Sequence, residues 1–240
     1  MQKKVEEISR VKEIAFMGKV TASLSHEIKN TLAIINESAG LMGDLLRKDA
    51  PEDWPQYSRL TEIVASLEEQ VQRSADIVKR LNQFAHSMDK SMADLDLNDT
   101  VSQTAILAQR FAILRRVNLE TILDPRPLQI QNDPFRTLYI IFGFIERALT
   151  CSPKQAKVTV KTDRSGDRFL VTITDQGPVE VDTLRAQVSA SPSAEAEQDE
   201  SDLAILVQTM RALGVTIAAE QVAETGNKIV LSFPERLPER

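Results

Sequence analysis

The sequence predicts an α+β protein: a long N-terminal helical hairpin forming a dimeric four-helix bundle, followed by an α/β sandwich. Three observations predict it. Apolar residues recur at spacings of three and four through residues 3–48 and again through 56–87, the period of amphipathic helices. Asp133-Pro134 opens a run that is apolar nearly all round from Leu138 to Leu149, with aspartate as cap and proline at the first helical position. Two alternating segments, 158–161 and 169–173, flank Arg164-Ser165-Gly166-Asp167 and read as a β-hairpin.

Helix one is expected over residues 3–48, roughly 67 Å at 1.5 Å per residue. Val5, Ile8, Val11, Ile14 and Gly18 give it a seam, which Leu24, Ile28, Leu32, Ile35, Ala39, Met42 and Leu46 continue. A seam of that length calls for a coiled-coil partner. Asp49-Ala50-Pro51-Glu52-Asp53-Trp54-Pro55 breaks the helix, because two prolines and the residues before them resist helical geometry. Helix two, over 56–87, carries Leu60, Ile63, Leu67, Val71, Ser74, Ile77, Leu81 and Phe84. Two helices joined by a short turn make an antiparallel hairpin, and two hairpins pair into a four-helix bundle, hence a homodimer. Residues 88–96 read as a polar linker. The domains are therefore 1–90 and 96–240.

Beyond the linker, Asp96-Leu97-Asn98 caps a helix over 99–115. Residues 117–123 alternate into a strand, and Asp124-Pro125-Arg126-Pro127 turns. A helix over 201–213 and strands at 215–220 and 228–233 close the sandwich.

The 240 residues carry a net charge of −6 with 27% charged side chains, which argues against a general nucleic-acid binder. Cys151 is the single cysteine, so no disulfide framework or cysteine zinc site is expected, in keeping with a reducing cytoplasm. No apolar run approaches the roughly 20 residues that span a bilayer. The first residues, Met1-Gln2-Lys3-Lys4-Val5-Glu6-Glu7, lack an apolar signal core. A soluble, cytoplasmic protein without a membrane span is the expectation.

His26, one of two histidines, lies two residues from both Leu24 and Ile28, about 200° round the helix from each and away from the apolar stripe. Asn30 at i+4 and Lys29 at i+3 are its neighbours, and Glu27 follows directly. An exposed imidazole beside a carboxylate and a carboxamide suits a nucleophile that takes up a group and gives it away. The second histidine, His86, ends helix two. A helix C-terminus favours a cation for structural reasons alone, so it is given no role.

Met17-Gly18-Lys19-Val20 followed by Ser25-His26-Glu27-Ile28-Lys29-Asn30 resembles the phosphoacceptor box of two-component sensor histidine kinases. Residues 75–85 resemble the second helix of that family's dimerisation domain, and the later elements resemble its ATP-binding domain. The resemblance implies that His26 is phosphorylated, that Glu27 acts as base or orients the ring, and that Asn30 positions water for phosphatase action. Thr31 stands where the family's box has proline.

The ATP-binding half departs further. Glu146 is placed where the family carries a magnesium-holding asparagine, with Arg147 after it. Asp175-Gln176-Gly177-Pro178-Val179 keeps the aspartate that accepts from adenine and one glycine of two. No glycine occurs between Gly177 and Gly214, although glycines before a helix let backbone N–H groups approach phosphates. The stretch 193–202 instead holds Glu195, Glu197, Asp199, Glu200 and Asp202. Each like-charge pair at about 4 Å costs on the order of 1 kcal/mol even at water's dielectric.

These departures favour a histidine phosphotransferase exchanging phosphate between His26 and receiver-domain aspartates of a response regulator. An ATP-dependent autokinase and a non-catalytic dimeric scaffold are the alternatives. No metal site and no firm cofactor are expected, with ATP and magnesium entering only for the autokinase. Lys19 and Lys29 are candidates to steer an acidic receiver, and an upstream sensor protein is a further candidate partner.

Overall fold

The computed structural model describes residues 2–48, 57–86, 92–178, 202–222 and 226–236. The expected break at 49–55, the linker up to residue 91 and the acidic stretch at 193–201 lie outside them. So do the side chains of Lys19 and His86. The chain divides into two compact units, Met17–His86 on one side and Met1–Phe16 with Ser87–Arg240 on the other.

The elements run α1 (Gln2–Lys48), α2 (Tyr57–His86), β1 (Ala93–Asp96), α3 (Leu97–Arg115), β2 (Asn118–Ile122) and β3 (Gln129–Asn132). Then come α4 (Pro134–Cys151), β4 (Lys157–Ser165), β5 (Arg168–Thr174), α5 (Asp202–Ala212), β6 (Thr216–Gln221) and β7 (Asn227–Pro234). The result is a mixed α+β fold.

In the first unit α1 runs unbroken through the histidine box. Val20, Leu24 and Thr31 are buried on it and Ile77 on α2. The expected stripe is only partly covered: Leu32 is 54% exposed on α1 and Val71 56% on α2.

The second unit is built on a five-stranded sheet ordered β2-β4-β5-β7-β6, parallel at β2–β4 and antiparallel elsewhere. Val160 faces Ile173, Val171 faces Leu231, and Phe169 faces Phe233 across the central strands, all buried. With a side-chain period of two, a slip of one residue would turn this row to the other face, so burial fixes the register. α4 lies in the core with Ile140, Ile141, Phe144 and Ile145 fully buried. Phe142 meets the rings of Phe111 at 5.6 Å and Phe16 at 4.9 Å in tilted or edge-on contact, the geometry aromatic quadrupoles favour.

The caps follow the sequence. The Asp96 carboxylate accepts from the Asn98 N–H at 2.9 Å and that of Asp133 from the Arg136 N–H at 2.9 Å. Burial pushes the Asp133 carboxyl above its usual range, against the pull of the Arg136 and Phe135 N–H groups and the Arg136 charge.

The expected linker is corrected at its end. Residues 93–96 form β1, paired antiparallel with β3, and the turn at 124–127 leads into that second short strand. α3 ends in a left-handed residue, Arg116 (φ 58°), whose N–H reaches the Ala112 and Ile113 carbonyls. Gln155 (φ 67°) is the other non-glycine residue with positive φ among those described, and its N–H donates to the Arg116 carbonyl at 2.7 Å.

Candidate functional site

On α1, His26 is exposed, Asn30 and Lys29 are exposed, and Glu27 is half-buried. His26 and Asn30 are one turn apart on an unbroken helix, so both lie on the same face of it. Thr31 is buried at 2% exposure, and its hydroxyl donates to the Glu27 carbonyl at 2.7 Å. A proline at 31 would leave that carbonyl without the i+4 backbone donor. Threonine keeps its N–H and adds a hydroxyl donor to the same carbonyl, and the helix continues through the box.

In the second unit the structure brings Asp175 and Gly177 together. Asp175 is buried at the end of β5, and its Oδ1 accepts from the Gly177 N–H at 2.8 Å and from Asn227 Nδ2 at 2.9 Å. Its own N–H donates to the Asn227 carbonyl. Asn227 was missed by sequence reasoning because it lies 52 residues away, at the start of β7. It also donates to the Pro178 carbonyl at 2.9 Å, so it fixes both the carboxylate and the turn after it. The carboxylate is thus held through Oδ1, and its Oδ2 makes no hydrogen bond among the described residues.

Gly177 is there for another reason as well. A Cβ on it would stand 2.7 Å from the Cys151 carbonyl at the end of α4, and one on Gly226 (φ +125°) 2.7 Å from the Asp175 carbonyl. Both obstacles are backbone and cannot swing aside. Gly177→Ala is expected to cost about 1–3 kcal/mol of stability through overpacking, read as a lowered thermal midpoint. An unchanged midpoint would show that the turn moves freely.

Glu146 is half-buried on α4, and its carbonyl accepts from the Thr150 hydroxyl at 2.8 Å. Gly143 meets Leu206 of α5, and Cys151 meets the 175–177 turn. Arg147, at i+4 from Gly143 and i−4 from Cys151, lies on the helix stripe joining those two contacts. Glu146 stands about 100° round from it. Arg147 thus shares a stripe of α4 with the residue that meets the 175–177 turn. No group of three metal-ligating side chains occurs among the described residues.

No family model matches the chain. The sensor histidine kinase ZraS of Salmonella typhi is 22% identical over 232 residues, 96% of this chain and 48% of that protein. The C4-dicarboxylate transport sensor protein DctS of Rhodobacter capsulatus is 24% identical over 76% of this chain and 28% of its own. The catalytic domain of the histidine kinase ThkA superposes over 62% of this chain and 100% of its own, with a TM-score of 0.52 at 15% identity. The chain is similar to two-component sensor histidine kinases. It spans about half the length of the ZraS relative it matches. The ThkA likeness identifies the second unit as having the fold of a histidine kinase catalytic domain. No helix among the described residues is long and apolar enough to cross a membrane.

Proposed function

We propose that this histidine-kinase-like chain is a phosphotransfer protein in which His26 takes up a phosphoryl group and passes it to a receiver-domain aspartate of a response regulator. The observation that carries the reading is the exposed His26 with Asn30 on the same face of an unbroken helix and Glu27 beside it. One imidazole nitrogen attacks phosphorus while Glu27 takes the proton from the other. The P–N bond forms as the bond to the departing oxygen breaks. A receiver carboxylate then attacks in turn and the P–N bond breaks.

Two donors are in play. The comparisons favour ATP over the phosphotransferase expectation, since the relatives named above are sensor kinases or sensor proteins matched over most of this chain. Asp175 supports the same reading from the adenine side, its carboxylate braced by Asn227 and the Gly177 N–H. Arg147 and Glu146, both half-buried on α4, are the candidates for contact with the phosphates and a magnesium ion in that reading. The glycine-free stretch between Gly177 and Gly214 supports the second reading, in which a phosphorylated receiver is the donor.

A second copy completes the first unit. Leu32, Leu41, Val64 and Val71 are between 42% and 56% exposed on α1 and α2, and bundling two copies into four helices would cover them.

Labelled ATP with magnesium, and separately a labelled phosphorylated receiver, decide the donor. Label reaching His26 from ATP, with Asp175→Asn weakening nucleotide binding roughly 10- to 100-fold through loss of a charged acceptor, is the expected result. Label arriving from the receiver alone establishes the phosphotransferase. Label arriving from neither removes both and leaves a scaffold.

A further inference from the structure

Ile113 and Leu114 are the most exposed large apolar side chains among the described residues, at 65% and 68%. They sit in the last turn of α3, with Arg110 one turn back and Arg115 and Arg116 directly after. The bond from Gln155 to Arg116 brings Lys154 to the same end of the unit. Arg115, Arg116 and Lys154 are exposed, and none is ion-paired among the described residues.

A helix C-terminus welcomes one cation through its dipole. That does not account for two aliphatic side chains standing in water, nor for the residue type at 116. Arg116 occupies the left-handed position after a helix, where glycine is the usual choice and a side chain costs about 1 kcal/mol or more. The strain sits on an unpaired cation beside an unburied apolar pair, and residues held in sparsely populated backbone regions cluster at functional surfaces.

We propose that the α3 C-terminus is a docking surface for an anionic lipid bilayer. The charge decides the occupant. On a chain of net charge −6, a cluster of cations is complementary to a negatively charged leaflet that would repel the rest of the protein. Ile113 and Leu114 protrude and would insert at the headgroup–acyl boundary, which adds apolar burial to the electrostatic attraction. The surface belongs to the second unit and is independent of how His26 acquires phosphate.

Co-sedimentation of the full chain tests this, with vesicles of phosphatidylcholine and phosphatidylglycerol in equal parts and with phosphatidylcholine alone. Binding is expected to the mixed vesicles only, and to weaken with added salt. Arg115→Gln with Arg116→Gln should lower partition roughly 25-fold, at about fivefold per cation. Ile113→Ser with Leu114→Ser should lower it about tenfold or more. Arg116→Gly separates docking from structure: partition falls about fivefold while the thermal midpoint rises, because backbone strain is relieved. A purely structural role for Arg116 would not produce that opposite movement. No binding to mixed vesicles, equal binding to neutral ones, or unchanged partition in both double variants overturns the proposal. So does capture of a purified receiver domain by this surface in place of vesicles.

Discussion

His26→Ala is expected to abolish phosphoryl uptake, whichever donor supplies it, while leaving the fold intact. The imidazole is exposed on α1, and its removal uncovers no core surface; surface substitutions of this kind stay within about 0.5 kcal/mol. The nucleophile itself has no substitute: Glu27 is a carboxylate and Asn30 a carboxamide, and neither makes the P–N bond. Uptake in the alanine variant should fall at least about a thousandfold, the scale seen when a catalytic nucleophile is deleted. Acid-labile label on the variant at the parent's level would remove His26 from the mechanism. Circular dichroism and thermal unfolding on the same preparation show whether any loss is chemical.

Asn30→Ala is expected to separate two activities. If the protein also dephosphorylates its receiver, a water must be held near the phosphorus while the receiver supplies its metal. A neutral carboxamide can accept from and donate to that water without repelling the phosphate. Losing such an orienting group typically costs about 10- to 1,000-fold in rate, by analogy with oxyanion-hole donors. Receiver dephosphorylation should slow by that factor, while transfer through His26 stays near the parent rate. As an exposed helical residue, Asn30 should on replacement by alanine slightly stabilise α1. A lost activity therefore cannot be put down to unfolding. Unchanged receiver decay, where the parent accelerates it, would reject the phosphatase role.

Much of this was legible in the sequence because the signals were local. α1, α2, α3 and α4 begin and end within two residues of where periodicity and caps placed them. β1 and β3 were not legible. Each is four residues long, and Ala93-Asp94-Leu95-Asp96 and Gln129-Ile130-Gln131-Asn132 are too short and polar to stand out from a linker. They exist because they pair with each other 36 residues apart.

The site divides the same way. His26, Glu27 and Asn30 share two turns of one helix, so spacing alone placed them. Asn227 supports Asp175 across a β-strand register that no window of sequence contains. Gly177 was read as the remnant of a nucleotide-binding pattern. The structure gives it a steric reason to be glycine that holds with or without nucleotide.

The position of β7 has a consequence for how the chain is made. This strand lies inside the sheet, between β5 and β6, although it is the last of the described strands in sequence. While the protein is being synthesised, β5 and β6 each wait for a neighbour that has not yet left the ribosome. The open flank of β5 presents unpaired backbone groups until β7 pairs with it, setting Phe233, Leu231 and Ile229 beside Phe169, Val171 and Ile173. An unpaired apolar strand edge is a template for joining other chains. The second unit must therefore finish folding after residues 227–234 emerge. A message truncated before Asn227 would yield an aggregation-prone product rather than a shortened but working protein.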